Sequence, residues 1–107
     1  ELPEYKEETF EFTVRELSFG DRVNIRLEDD HPGLLIHNVE PAGWASLAGL
    51  RQGDLLLSID GAEQNEVSKF EKNMNGLIKQ KPKRIIFFVR RGIHTLFLEL
   101  EPDWDNS

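Results

Sequence analysis

His31, His37 and His94 are the side chains best suited to hold a metal or move a proton, and their spacing serves neither purpose. No two of them stand as His-x-x-x-His or within His-Glu-x-x-His, so a metal site would need a coincidence of the fold. His37 lies in an alternating stretch and reads as a face residue rather than a ligand or base. Cysteine is absent, which removes thiolate ligands and disulfides alike. No serine sits in a Gly-x-Ser-x-Gly elbow, and no glycine-rich loop opens a helix to cradle phosphate. Of the carboxylates that could act in pairs, Asp29-Asp30 falls in a loop and Asp54 with Asp60 flanks an apolar run. Turn and capping roles account for both, with Asp54 expected to accept backbone hydrogen bonds at the loop following Gly53. The residues therefore predict no catalytic site, no metal and no cofactor.

Charge narrows the partners. The formal net charge of −7 opposes nucleic acid and anionic membrane, both of which attract cationic surfaces. Glu1, Glu4, Glu7, Glu8, Glu11 and Glu16 crowd the start, while Lys79, Lys81, Lys83, Arg84, Arg90 and Arg91 gather late. The late cluster reads either as a contact for an acidic partner or, preferably, as a solvated helix end and hairpin. At 107 residues, 38% hydrophobic and 31% charged, the chain suits one soluble domain with one modest core. No apolar run approaches the roughly 20 residues of a membrane span. The opening residues have neither a basic nor an apolar signal-peptide region, so none is expected in this stretch.

The elements that must carry these residues follow from periodicity. Residues 1–8 are polar and predict a linker or frayed lead-in, and 103–107 a polar tail, bracketing a domain over 9–102. In 9–17, Phe10, Phe12 and Val14 alternate as in a half-buried strand. Ser18 caps a short helix over 18–26, with Phe19 and Val23 expected to face inward. A turn-rich loop over 28–33 leads into a strand over 34–39. Gly43 starts a short helix, Gly49 ends it in a left-handed conformation, and Asp60-Gly61 closes the next strand as a turn. An extended piece over 62–65 precedes a helix over 68–80, stopped by Pro82, whose stripe is Val67, Phe70, Met74, Leu77 and Ile78. Strands over 83–90 and 93–101 then form a hairpin at Arg91-Gly92.

Gly49-Leu50-x-x-Gly53-Asp54, an apolar strand and Asp60-Gly61 resemble the most distinctive stretch of bacterial PDZ domains, those attached to HtrA-like, trypsin-fold serine proteases. Ala42-Gly43-Trp44-Ala45 stands where that family has Gly-Ser-Pro-Ala, so Gly43 takes the serine's capping place. The resemblance covers roughly 10–102. It implies an α+β fold, a partly open five- to six-stranded antiparallel barrel or sandwich with two to three helices, in circularly permuted order.

The resemblance further implies peptide binding by β-augmentation: a ligand's C-terminal or unfolded segment adds as a strand, and loop amides hold a terminal carboxylate. The receiving strand would be Phe10, Glu11, Phe12, Thr13 and Val14, with Glu11 where the family has glycine. Across the groove the resemblance places Val67, Glu71, Met74 and Ile78, with Phe70 and Leu77 in the core; for Met74, plain core packing is an equal alternative. Glu11 and Glu71 together would make the groove acidic, favouring a basic or internal segment. The implied parent is a periplasmic or cell-envelope protease, which the module regulates or supplies with substrate and which can bring oligomerisation. A second reading is a docking domain with an occluded groove, whose partner is its own protease domain or a sister subunit. Trp44 would then be an exposed docking residue rather than, as its chemistry favours, a plug under the preceding strand.

Overall fold

Residues 4–7, Glu-Tyr-Lys-Glu, carry no apolar alternation, yet they form the first strand of the computed structural model, which describes residues 2–28 and 30–104. Glu1, Asp29 of the Asp29-Asp30 pair and the last three residues of the tail lie outside the described residues. Strand β1 (Glu4–Glu7) replaces the frayed lead-in expected there, because its neighbour β2 (Phe12–Arg15) offers it an open backbone edge. The two pair antiparallel, with Tyr5 opposite Val14 and Glu7 opposite Phe12. The strand expected over 9–17 is correspondingly shorter, since residues 8–11 make the turn between β1 and β2.

Helix α1 (Phe19–Asn24) begins at Ser18, whose hydroxyl accepts the Asp21 amide while Asp21 accepts the Ser18 amide in return. The helix is inverted relative to the expectation. Phe19 and Val23 are 76% and 57% exposed, and no residue of α1 is buried. Polar anchors set this orientation: Arg15 of β2 reaches Asp21 at 2.7 Å, and Arg22 donates to the Glu28 and His31 carbonyls at 3.0 and 2.7 Å. Arg15 and the Ser18 cap hold the Asp21 carboxyl well below the usual carboxylate range.

The rest of the chain follows β3 (Leu34–Val39), α2 (Trp44–Leu47), β4 (Leu55–Ile59), β5 (Ala62–Glu63), α3 (Val67–Gln80), β6 (Ile85–Arg91) and β7 (His94–Leu100). The seven strands form one open antiparallel sheet in the order β1-β2-β3-β4-β6-β7, with β5 beside β4. Asp60 and Gly61 both have positive φ, 49° and 86°, and form the two-residue turn between β4 and β5. Gly49, at φ 101°, ends α2 as its position predicts.

Alternation on β2, β3, β4 and β6 sends Phe12, Val14, Leu34, Ile36, Leu56, Phe87 and Val89 into one core, closed by Phe70 and Met74 from α3. Phe12 is the hinge of this packing, edge-on to Phe70 at 5.9 Å and to Phe87 at 5.7 Å.

Asp54 accepts the Arg51 amide at 2.9 Å, and also a bidentate pair from Arg91 at 2.8 and 2.7 Å. Arg91 reaches on to the Gly49 carbonyl at 2.8 Å, tying the β6–β7 hairpin to the loop after α2. Arg84 pairs with Glu99 at 3.1 Å and Arg90 donates to the Ile25 and Gly92 carbonyls, so the arginines of the late basic cluster are engaged within the molecule. Removing Arg91 strands a buried carboxylate, and Arg91→Leu is expected to lower stability by about 3 kcal/mol in urea titrations, the lower end for a buried pair because Arg91 is partly exposed. Arg84→Leu, which breaks an exposed pair, should change it by less than about 1 kcal/mol.

Candidate functional site

The turn over 8–11 has several backbone amides and one residue to receive them. Glu7 takes the Glu11 amide on its carbonyl at 2.8 Å and the Thr9 amide on Oε1 at 3.1 Å, with the Phe10 amide adding a weaker contribution to the same carboxyl. Glu7 is only 3% exposed, and its Oε2 has no hydrogen-bond partner among the described residues. Burial, reinforced by the charge of Glu8, pushes this carboxyl up from the ordinary glutamate range against the pull of the Thr9 and Phe10 amides.

Glu11 adopts φ 64°, the left-handed conformation that glycine would take without strain. It is held there from both sides, its amide on Glu7 and its carbonyl accepting the Glu40 amide at 3.0 Å. Its side chain lies over Gly43, where a Cβ would come within 2.9 Å of both Glu11 Cβ and Oε2. Next to it the Phe10 carbonyl accepts the Ala45 amide at 3.1 Å, joining the turn to α2. The Phe10 ring is buried edge-on to Trp104 at 5.9 Å, and Trp104 Nε1 donates to the Pro82 carbonyl at 2.7 Å.

The edge of β2 away from β3 faces α3, and β1 lies between them. Tyr5 stands half-buried and edge-on to Phe70 at 6.1 Å, and its hydroxyl is pushed up by burial and by the charges of Glu7 and Glu71. At the far end of β2, Glu16 Oε2 accepts the Val67 amide at 3.0 Å, capping α3 where its own N-cap, Glu66, makes no side-chain bond.

The sequence-predicted residues are thus divided. Phe10 and Glu11 belong to the turn, while Phe12, Thr13 and Val14 lie on the strand itself, Thr13 paired with Lys6 and Asn38. Val67 and Met74 are buried in the core, Ile78 packs against the core's edge, and Glu71 is exposed on the side of Tyr5. Phe70, assigned to the core alone, also meets β1. Glu11 and Glu71 do not share one groove face, since Glu11 turns over α2. Trp44 is 37% exposed beside Leu47, Glu99 and Glu101 instead of plugging the space under β3. Tyr5, Glu7, Glu16 and Trp104 lie outside the sequence-predicted set, and nothing in their types or spacing marks them for these contacts.

Among the described residues no group of three or more His, Asp or Glu is placed to hold a metal ion, and no helix is long and apolar enough to cross a membrane.

Residues 12–100 match the family model described as PDZ domain. Among curated proteins the chain is 28% identical over 83 residues to a probable membrane metalloprotease, ARASP2, chloroplastic, of Arabidopsis thaliana, and equally to the membrane metalloprotease ARASP, chloroplastic, of the same plant. Each match takes in 76% of this chain but 19% of the relative, so the chain spans about a fifth of the length of these relatives. Among solved structures it resembles the HtrA3 PDZ domain bound to a phage-derived ligand (FGRWV), with a TM-score of 0.67, 16% identity and coverage of 96% of this chain and 88% of that one. It also resembles an HtrA-type protease, an AlgW variant with a decapeptide, with a TM-score of 0.70 and 23% identity over 94% of this chain and 28% of that one.

The contact between Glu11 and Gly43 makes these two positions interdependent. Gly43→Ser is expected to destabilise the fold by about 1–3 kcal/mol through overpacking, and Glu11→Gly in the same chain to recover most of it, read as a double-mutant cycle of urea midpoints. Because the folded-state pKa of Glu7 is raised, its contribution to stability is complete below the ordinary glutamate range and is lost as pH rises through the raised value. Unfolding free energy measured against pH should show that decline in the native chain and lack it in Glu7→Gln.

Proposed function

The chain belongs to the PDZ-domain family, and we propose that it is a peptide-recognition module of a larger protease, taking a C-terminal or unfolded segment as an added strand on the edge of β2 beside α3. The observation that carries this reading is the turn over 8–11, where the amides of Thr9, Phe10 and Glu11 converge on one carboxyl-bearing residue at the head of β2. Backbone amides converging on an acceptor are what capture of a chain end requires. Structural relatives carrying a pentapeptide ligand and a decapeptide support the same reading.

The module recognises and does not catalyse; its work is to present substrate to the parent enzyme or to regulate it. Two parents are consistent with the comparisons: an HtrA-like serine protease, by fold, and a membrane metalloprotease, by sequence. We place the parent protease in the cell envelope, the periplasm in a bacterial cell, on the resemblance to bacterial HtrA-like proteases alone.

A second reading is favoured by β1, which already fills the edge of β2: a docking domain that contacts its own protease domain through the exposed Trp44. Titrating a random peptide library with free-acid and with amidated C termini against the domain separates the readings. Free-acid peptides are expected to bind at least tenfold more tightly. Equal affinity for both forms would reject carboxylate capture, and absence of binding, with Trp44→Ala impairing assembly with the parent, would favour docking.

A further inference from the structure

We infer that β1 is an internal ligand of the β2–α3 groove, so that the chain's own residues 4–7 hold the binding edge closed until that strand undocks. The inference rests on reading this groove as the peptide site.

Position and direction come first. An added peptide strand must pair with the outer edge of β2 and pass beside α3, and β1 does both, antiparallel to β2 with Tyr5 against Phe70. It runs toward the turn, ending there on Glu7. The amides that an incoming terminal carboxylate would need, those of Thr9 and Glu11, are spent on the Glu7 carboxyl and carbonyl. Glu7 therefore stands in for a chain end, its side-chain carboxyl replacing the carboxylate that the continuing backbone lacks.

The hold is weak where a permanent strand would be strong. Glu4 and Lys6 are exposed, Tyr5 is half-buried, and the buried anchor is a carboxyl with one oxygen unpartnered among the described residues. A core strand of this sheet, such as β6, buries Ile85, Phe87 and Val89 instead. What keeps β1 in place is its short tether, which gives it a high local concentration over the groove without deep burial. Segments held in this way open locally, ahead of global unfolding. A peptide with a true terminal carboxylate competes best if it also restores the ring over Phe70, so the favoured ligand has a free C terminus and an aromatic residue third from the end, matching Tyr5 relative to Glu7.

The absence of cysteine allows a clean lock. Lys6 and Thr13 are paired directly across the hairpin, so Lys6→Cys with Thr13→Cys in the full chain can be oxidised to fasten β1 to β2 and reduced to free it. The probe is a free-acid random hexapeptide library carrying Tyr, Phe or Trp third from the end. The reduced form is expected to bind it at least tenfold more tightly than the oxidised form, and Tyr5→Ala more tightly than the native chain. Equal binding by oxidised and reduced forms overturns the inference and leaves peptide recognition standing. If neither form binds, recognition fails, and amide hydrogen exchange decides β1 alone. The Glu11 and Glu16 amides, which donate to Glu7 and Pro3, should then exchange by a local opening that oxidation abolishes; protection equal to that of the β4–β6 ladder overturns the inference.

Discussion

A tight turn must place every amide it does not expose to water, and the turn over 8–11 places its amides on Glu7. That one requirement organises the N-terminal third of the chain. With the Glu11 amide on the Glu7 carbonyl, Glu11 is committed to positive φ, and this conformation aims the Glu11 carbonyl at the Glu40 amide. The neighbouring Phe10 carbonyl is delivered to Ala45 and its ring to the core. The cost is borne by a carboxyl buried with too few partners, a price tolerable at the end of a hairpin where opening relieves it.

Phe12 transmits that local geometry to the rest of the fold. Because it touches Phe70 and Phe87 at once, it fixes the distance between the sheet and α3, and hence the width of the space that β1 fills. Glu16 pins the near end of α3 to the far end of β2, so strand and helix are registered at two points along the groove. The Asp54–Arg91 pair works at the opposite side of the sheet, where it stiffens the loop after α2 and leaves the groove untouched.

Most of the scaffold was legible because its signals are local. Gly49 and the Asp60-Gly61 turn need backbone conformations that few residues accept, and the apolar alternation of β6 leaves one face to bury. The Asp54 role as a backbone acceptor was legible for the same reason, although its arginine partner, 37 residues distant in sequence, was not. Helix α1 misled because Phe19 and Val23 look like a core stripe, while its orientation is set by Arg15 and by the carbonyls that Arg22 meets. At the site, the strand itself was legible in the alternation of Phe12 and Val14, its receiving role being only what the family resemblance implies, but β1 was invisible: its strand character comes from the edge it borders and not from its own side chains. Trp104 escaped notice because nothing nearby in sequence predicts its contact with Phe10.

The crowding between Glu11 and Gly43 also makes the order of substitution at these two positions matter. Consider a chain with glycine at position 11 and serine at 43, the pattern that the family resemblance supplies. Two single steps separate it from the present pair, and they are not interchangeable. Placing glutamate first would set its Cβ against a side chain at 43, 2.9 Å away, whereas clearing position 43 first opens the space that the glutamate then occupies. A chain with glycine at both positions avoids that crowding, so glutamate at 11 and the small residue at the start of α2 are one coupled choice.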